Sequence, residues 1–157
     1  MDVDTKEGVR TMTLQEVSTK YSDCPFMIDG FHVPSPSLGV WLYEWERVSR
    51  SYNNSNADFI DVTIAQKDKF NWKYDAILLS ELRPIEAYIK NKISTGSNSF
   101  NITSWTPDRG YITKACYLGT PIQYIPNSTI ADPEGYGTLK FEYHWIQIKG
   151  SKNISNG

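Results

Sequence analysis

An alternation of apolar and polar residues near the C-terminus, residues 138–149, dictates much of the fold. Leu139, Phe141, Tyr143 and Trp145 are apolar or aromatic, and the residues between them are mostly polar. Successive side chains of a β-strand point to opposite faces, so this stretch predicts a strand with one aromatic face. A chain with such a strand needs a sheet and a core to cover that face.

Two further stretches predict strands. In residues 59–67, Ile60, Val62 and Ile64 share one face, and residues 40–50 are aromatic and β-prone. Residues 51–58 between them are polar and offer nothing to bury, so they predict a mobile loop.

Turn residues predict two hairpins. Residues 26–34 are two short extended pieces around Asp29-Gly30, and residues 100–105 and 111–117 flank a turn that contains Pro107, Asp108 and Gly110. We expect a short strand at residues 121–125 and a long loop at residues 126–137, which is rich in proline and glycine.

One stretch has a helical period. Its apolar residues recur at steps of four, three, four and four, namely Leu78, Leu82, Ile85, Ile89 and Ile93. Pro84 lies inside this stripe and either kinks one helix or occupies the first turn of a second helix.

The order of strands, one helical segment and strands predicts a mainly-β (α+β) fold, a β-sandwich or barrel with a flanking helix. A chain of 157 residues is long enough for one domain. We place this domain at residues 26–149, after an N-terminal extension (1–25) and before a flexible tail (150–157).

Composition excludes some classes of function. The net charge of -2 argues against a general polyanion binder, although a local basic patch is compatible with it. The sequence has no apolar run long enough to span a membrane and no secretory signal, so we expect no membrane partner. Cys24 and Cys116 have no patterned companion, and we expect two free thiols made in a reducing cytosol.

Residues suited to catalysis are unpaired in the sequence. His32 and His144 have no nucleophile or metal ligand at a typical spacing, and Glu44 and Glu46 share what looks like a solvated strand face. No glycine-rich phosphate loop is present. We therefore expect no enzyme activity, no metal and no cofactor.

Aromatic residues make up 13% of the chain. Trp41, Tyr43 and Trp45 alternate on one strand face, where flat rings are suited to a core or a subunit interface. The alternative is a carbohydrate-binding or receptor-binding module that uses exposed aromatics.

Several motifs over residues 26–125 carry a family resemblance. They are the segment 27–36 with Asp29-Gly30, the arginines Arg47 and Arg50 before a polar loop, the lysine-ended strand 60–67, and residues 99–110 with Phe-x-Ile and Asp-x-Gly. The helical stretch and residues 115–119 continue the match. In this order the chain resembles small tail structural proteins of phages and prophages of Gram-positive bacteria.

The resemblance implies a virion structural protein, a subunit of a tail tube, tail hub or baseplate ring. Its partners would be copies of itself in a ring, often sixfold, and other tail or baseplate proteins. DNA would be only a transient passenger through the lumen. The location would be the virion tail after synthesis in the cytoplasm of the bacterial host.

We expect subunit contacts at two places. One is the long tip at residues 48–59, which cannot pack alone. The other is the last strand, which we interpret as an open sheet edge that suits pairing with a neighbour. The predicted contact residues are Arg47, Arg50, Tyr52, Asn54, Phe59, Phe141, Tyr143 and Trp145.

Overall fold

A computed structural model of the chain describes residues 12–53, 59–119, 122–127 and 137–149, with the backbone alone at 48–53 and 59–64. This part of the chain contains two helices and eight strands. The helices are α1 (Leu14–Lys20) and α2 (Leu79–Ser94), and the strands are β1 (Met27–Ile28), β2 (Phe31–His32), β3 (Tyr43–Asn53), β4 (Phe59–Leu78), β5 (Phe100–Thr106), β6 (Gly110–Leu118), β7 (Ile125–Pro126) and β8 (Thr138–Gln147).

Hydrogen bonds join the eight described strands into one antiparallel sheet. The strand order is β2-β1-β5-β6-β8-β4-β3, and β7 pairs with β8 beside this path. The two terminal strands, β2 and β3, do not pair with each other, so the described sheet is not closed into a barrel. The prediction of a mainly-β (α+β) fold is confirmed, with a second helix that the sequence patterns did not predict.

The last strand, β8, lies inside the sheet. β4 pairs with it along one side, and β6 and β7 pair with it along the other. The expectation of an open edge at residues 138–149 is therefore wrong. The predicted alternation is confirmed, because Phe141, Tyr143 and Trp145 are buried while the residues between them are partly exposed.

Aromatic rings fill the centre of the core. Trp72 and Trp145 are fully buried, with ring centroids 5.8 Å apart, and Phe100 lies 5.5 Å from Trp145. Leu82 and Ile85 of α2 belong to the same cluster. The predicted helical stripe therefore faces the core, although its last member, Ile93, is 39% exposed.

Pro84 lies inside α2, which is a single helix. A proline has no N–H, so it leaves the carbonyl four residues earlier without its helical donor. That carbonyl belongs to Ser80, and it accepts a hydrogen bond of 3.2 Å from the backbone N–H of Met12. The N-terminal segment thus supplies the donor that the proline removes.

The N-terminal segment packs against the domain. Thr13 and Glu16 form a capping box at the start of α1, and Val17 on this helix is fully buried in the core. In its described part, the segment at 1–25 that we predicted as an extension is therefore joined to the core. The Thr-x-x-Glu pattern was the sequence signal for this helix.

Both predicted hairpins are confirmed. Asp29 and Gly30 have φ values of 49° and 86° in the turn between β1 and β2, as a type I′ turn requires. β5 and β6 pair from Phe100–Cys116 to Thr106–Gly110.

Other boundaries differ from the predictions. β4 continues through Leu78 rather than ending at 67, and β3 continues to Asn53, inside the predicted loop. In the predicted strand at 121–125, the described residues other than Ile125 are not in a strand. Most of the predicted loop at 126–137, namely residues 128–136, lies outside the described residues, as do residues 54–58 of the predicted tip.

Candidate functional site

The hairpin of β3 and β4 continues beyond the rest of the sheet. β8 pairs with β4 only between Lys69 and Leu78, whereas β3 pairs with β4 as far as Asn53 and Phe59. From Asp68 outward, the described strands therefore form a ribbon with two members. We call this ribbon, residues 45–53 and 59–68, the arm.

A β-bulge interrupts the arm. Val48 pairs with Ala65, but the next residue, Ser49, pairs with Thr63, so the register shifts at this point. A bulge bends the strand and increases its twist, and twisted ribbons resist indiscriminate edge pairing. The bulge therefore sets the direction of the outer part of the arm.

An ionic cluster around the buried carboxylate of Asp68 holds the base of the arm. The carboxylate of Asp68 accepts hydrogen bonds from the Tyr43 hydroxyl at 2.5 Å and from the Arg109 guanidinium at 3.2 and 3.3 Å. The Asp68 backbone N–H donates to the side-chain oxygen of Gln147 at 2.9 Å. We call Tyr43, Asp68 and Arg109 the clamp, since it joins the arm to the turn between β5 and β6.

The negative charge of the buried Asp68 carboxylate is balanced within the clamp. The Asp68 side chain is only 3% exposed, and a buried carboxylate costs several kcal/mol unless it is paired. Burial raises the pKa of Tyr43, and its hydrogen bond to Asp68 raises the pKa further. Burial lowers the pKa of Arg109, but the hydrogen bonds and charge of Asp68 outweigh this and raise the pKa. At neutral pH, Tyr43 is therefore a donor and Arg109 a cation.

The clamp was not predicted, because the strand was predicted to end at residue 67. Asp68 shares a face with Phe70, Trp72 and Tyr74, all of which are buried. An acidic residue in line with an aromatic face was the available signal, because a buried carboxylate needs a cation or a donor. Nothing in the pattern indicated that Arg109, in a turn, is that cation.

Five predicted contact residues belong to the arm or its tip. Arg47 is exposed on β3. Arg50, Tyr52 and Phe59 lie in the paired strands of the arm, where the backbone alone is described. Asn54 lies outside the described residues.

The other three predicted contact residues are in the core. Phe141, Tyr143 and Trp145 are 4%, 2% and 0% exposed. Side chains enclosed in this way cannot reach a neighbouring subunit, so this structure corrects the contact role that we predicted for them. The physical reason is that β8 has a strand on each side and its aromatic face is covered.

Several large aromatic side chains are exposed. Trp41 is 48% exposed, Trp45 is 55% exposed and Trp105 is 39% exposed. Trp45 lies at the base of the arm beside a hollow of about 390 Å³ that Tyr43, Pro107 and Asp108 also line. These rings, with those of Tyr111 and Tyr124, are exposed aromatic surface, whereas the rings of Phe141, Tyr143 and Trp145 on β8 are not.

The residues considered for catalysis make structural contacts. Glu44 and Glu46 both face Lys69, at 3.9 and 3.2 Å. His32 Nδ1 lies 2.6 Å from the carbonyl of Cys24, and His144 Nε2 lies 3.0 Å from Glu142. In the described part of the chain, no group of three or more His, Cys, Asp and Glu residues is arranged to hold a metal ion.

Both cysteines are free thiols, as predicted. Cys116 is fully buried, and burial together with the charge of Asp68 raises its pKa to about 12. Burial also raises the pKa of the half-buried Cys24. Raised pKa values keep both groups protonated at neutral pH, which makes them poor nucleophiles.

Comparisons with known proteins identify no relative of this chain. No family model, no curated protein and no solved structure matches this chain. Among the described residues, neither helix has the length and apolar character needed to cross a membrane.

Proposed function

We propose that this chain is a structural protein of a phage virion, a subunit of a tail tube, tail hub or baseplate ring. It acts by assembling with copies of itself and with neighbouring tail proteins, and it converts no substrate. The observation that carries this proposal is the arm, whose two strands have no third strand beside them in the described sheet.

A two-stranded ribbon is a poor structure for an isolated chain. Two strands alone are marginally stable in water, and their free edges present unpaired N–H and C=O groups. A neighbouring subunit that packs against the arm would satisfy these groups and cover its faces. The family resemblance supports the same use, since it includes a long hairpin with arginines near its tip.

The base of the arm supports an assembly role as well. The clamp ties β3 and β4 to Arg109, so the arm leaves the sheet in a fixed direction. A preset direction lowers the entropy lost when one subunit contacts the next. A loop that existed only to connect two strands would need neither the nine residue pairs of the arm nor an ionic anchor at its base.

The remaining parts of the proposal follow from this role. The ring would lie in the virion tail, with DNA as a transient passenger through its lumen. A net charge of -2 is compatible with passage of phosphate groups without capture. The subunit would need no cofactor.

An arm-deletion variant tests the proposal. Glu46 and Lys67 are paired in register, so residues 47–66 can be replaced by Asn-Gly, which closes a two-residue hairpin. We expect the full-length chain to form rings or tubes by light scattering and negative-stain microscopy. The deletion variant should remain monomeric at the same concentration.

The matched control changes an exposed residue far from the arm in sequence, Lys90→Ala on α2. This variant should assemble like the unchanged chain. A strictly monomeric full-length protein at high concentration, missing from purified virions by mass spectrometry, would refute the proposal. Equal assembly by the deletion variant would refute the role of the arm.

A further inference from the structure

A groove runs across the face of β8 that points away from the core. It consists of two adjoining hollows of about 310 and 250 Å³, and His144 lines both of them. Lys73, Lys140 and Glu142 line the larger hollow, while Trp41 and Lys69 line the smaller one. Neither the clamp nor the arm beyond its base contributes to this groove.

One end of the groove is an aromatic platform. The indole of Trp41 is 48% exposed, and its ring meets the His144 ring edge to face at 6.1 Å. The Trp41 carbonyl accepts a hydrogen bond of 3.4 Å from the Asn71 side chain. A flat ring held in place and half open to solvent is suited to packing on the C–H face of a sugar ring.

The other end of the groove carries a net positive charge. Lys73 and Lys140 have no ion pair within the described part of the chain, whereas Lys69 is occupied by Glu46 and Glu44. Glu142 is engaged by His144 at 3.0 Å. Glu142 also lies opposite Lys73 across β4 and β8, so Lys73, Lys140 and Glu142 together leave one net positive charge in the larger hollow. This charge favours a ligand with negative charge at this end.

We infer that this groove binds an acidic oligosaccharide. One sugar ring packs on Trp41, the acidic group of a following sugar lies near Lys73 and Lys140, and hydroxyl groups reach His144 and Glu142. At least two sugars are needed, because the aromatic and cationic ends belong to different hollows. This inference does not rest on the proposed assembly role.

A nucleic acid fits the same surface less well. Its phosphates repeat at every nucleotide, and the groove contains Glu44 and Glu142 between and beside its lysines. A saccharide whose acid groups are not on consecutive sugars brings a single negative charge to the larger hollow, which matches its one net positive charge and keeps further negative charge away from Glu44. An oligonucleotide is therefore a comparison ligand in the test.

The test titrates the full chain with defined probes by calorimetry. The acidic probes are a hyaluronan tetrasaccharide and sialyllactose, with cellotetraose as the neutral probe and an eight-nucleotide oligothymidine as the polyanion. We expect at least one acidic saccharide to bind about tenfold more tightly than the neutral probe, a difference typical of one good charge contact. The inference is wrong if no acidic saccharide binds, or if the neutral probe or the oligonucleotide binds as tightly.

Variants locate the site. Trp41→Ala should weaken binding by about tenfold or more, and Lys73→Gln combined with Lys140→Gln should remove the preference for the acidic probe. Trp45→Ala is the matched control, because this tryptophan is equally open, at 55% exposure, and lines a different hollow. It should leave the affinity unchanged.

The double lysine variant also distinguishes a loss of binding from a loss of folding. Neither lysine has an ion-pair partner in the described structure, so their replacement should leave the circular dichroism spectrum and the unfolding midpoint unchanged. An unchanged affinity in this folded variant would overturn the inference. Loss of binding in Trp45→Ala equal to that in Trp41→Ala would overturn it as well.

Discussion

The arm and β8 are both long β-strand segments, but their surroundings are opposite. β8 is hydrogen-bonded along both sides, and its alternate residues lie in the core. The strands of the arm have each other as their only described neighbours. Alternation in a sequence thus reports that a strand has two faces, and it does not report how many strands lie beside it.

This difference between the arm and β8 leads us to expect different roles for the two regions, one in folding stability and the other in association. The buried aromatic residues of β4 and β8 belong to one cluster with α1 and α2, so this part of the chain is stabilised by apolar burial. The cluster is drawn from the residues whose side chains are described, which do not include residues 48–53 and 59–64 of the arm. We therefore expect changes in the core to alter folding and changes in the arm to alter assembly.

The largest effect should come from Trp145→Ala. This ring is fully buried and contacts Trp72, Phe100 and Tyr143, so its removal leaves a large cavity. We expect the free energy of unfolding to fall by about 3–5 kcal/mol in urea denaturation. Trp45→Ala, at an exposed position at the base of the arm, should change it by about 0.5 kcal/mol or less. Similar losses in the two variants would erase the distinction between the regions.

The second-largest loss in the free energy of unfolding should come from a change in the clamp, where the arm joins the rest of the sheet. Arg109→Leu leaves the buried Asp68 carboxylate with Tyr43 as its remaining side-chain donor. We expect a loss of about 2 kcal/mol, less than for a fully buried pair because Arg109 is 35% exposed.

A double variant separates the charge from the packing at the clamp. If the penalty comes from the unpaired carboxylate, adding Asp68→Leu to Arg109→Leu should restore part of the loss in the same urea measurement. Additive losses would show instead that the two side chains act independently.

The sequence was enough to predict the local elements of the fold, but it was not enough to predict which strands lie beside each other in the sheet. The type I′ turn at Asp29-Gly30, the β5–β6 hairpin and the α2 stripe were predicted because their signals are contained in a few consecutive residues. The place of β8 within the sheet was not, since it depends on β4, β6 and β7, which are distant in sequence. The same reason explains why Phe141, Tyr143 and Trp145 were interpreted as contact residues.

The candidate site shows the same limit. The sequence showed arginines near the tip of a hairpin, and the hairpin is present. Its paired length was underestimated, because residues 51–53 have the composition of a loop. Asp68 and Arg109 meet only after the sheet has folded. The groove at His144 combines β4, β8 and the segment before β3, so no local pattern pointed to it.

A smaller effect should come from the shortest hairpin. Asp29 holds the β1–β2 turn by accepting hydrogen bonds from Tyr88 at 2.6 Å, Lys92 at 2.7 Å and the Asn101 N–H at 2.7 Å. Asp29→Asn keeps a residue that tolerates a φ of 49° but loses the charge. We expect a loss of about 1–2 kcal/mol at pH 7 in urea denaturation.

The loss of stability caused by Asp29→Asn should depend on pH. Burial raises the pKa of Asp29, but the bonds from Lys92, Tyr88 and the Asn101 N–H outweigh it, so the folded-state pKa lies below the reference value of 3.8. The carboxylate therefore contributes its full stability above that reference value and loses it as the pH falls through the folded-state pKa. The difference between Asp29→Asn and the unchanged chain should shrink in acid. A constant difference would show that the charge contributes nothing.

A change in intrinsic stability smaller than that of Asp29→Asn should come from deleting residues 47–66 of the arm. The deletion removes no member of the described core and keeps Tyr43, Asp68 and Arg109, so at low protein concentration we expect unfolding to change by about 1 kcal/mol or less. Assembly stabilises only the folded state, and its contribution grows with concentration. The midpoint of thermal unfolding should therefore rise with concentration in the full-length chain and stay constant in the deletion variant. A loss above about 3 kcal/mol in the dilute deletion variant would place the arm within the folding core and not among the contacts between subunits.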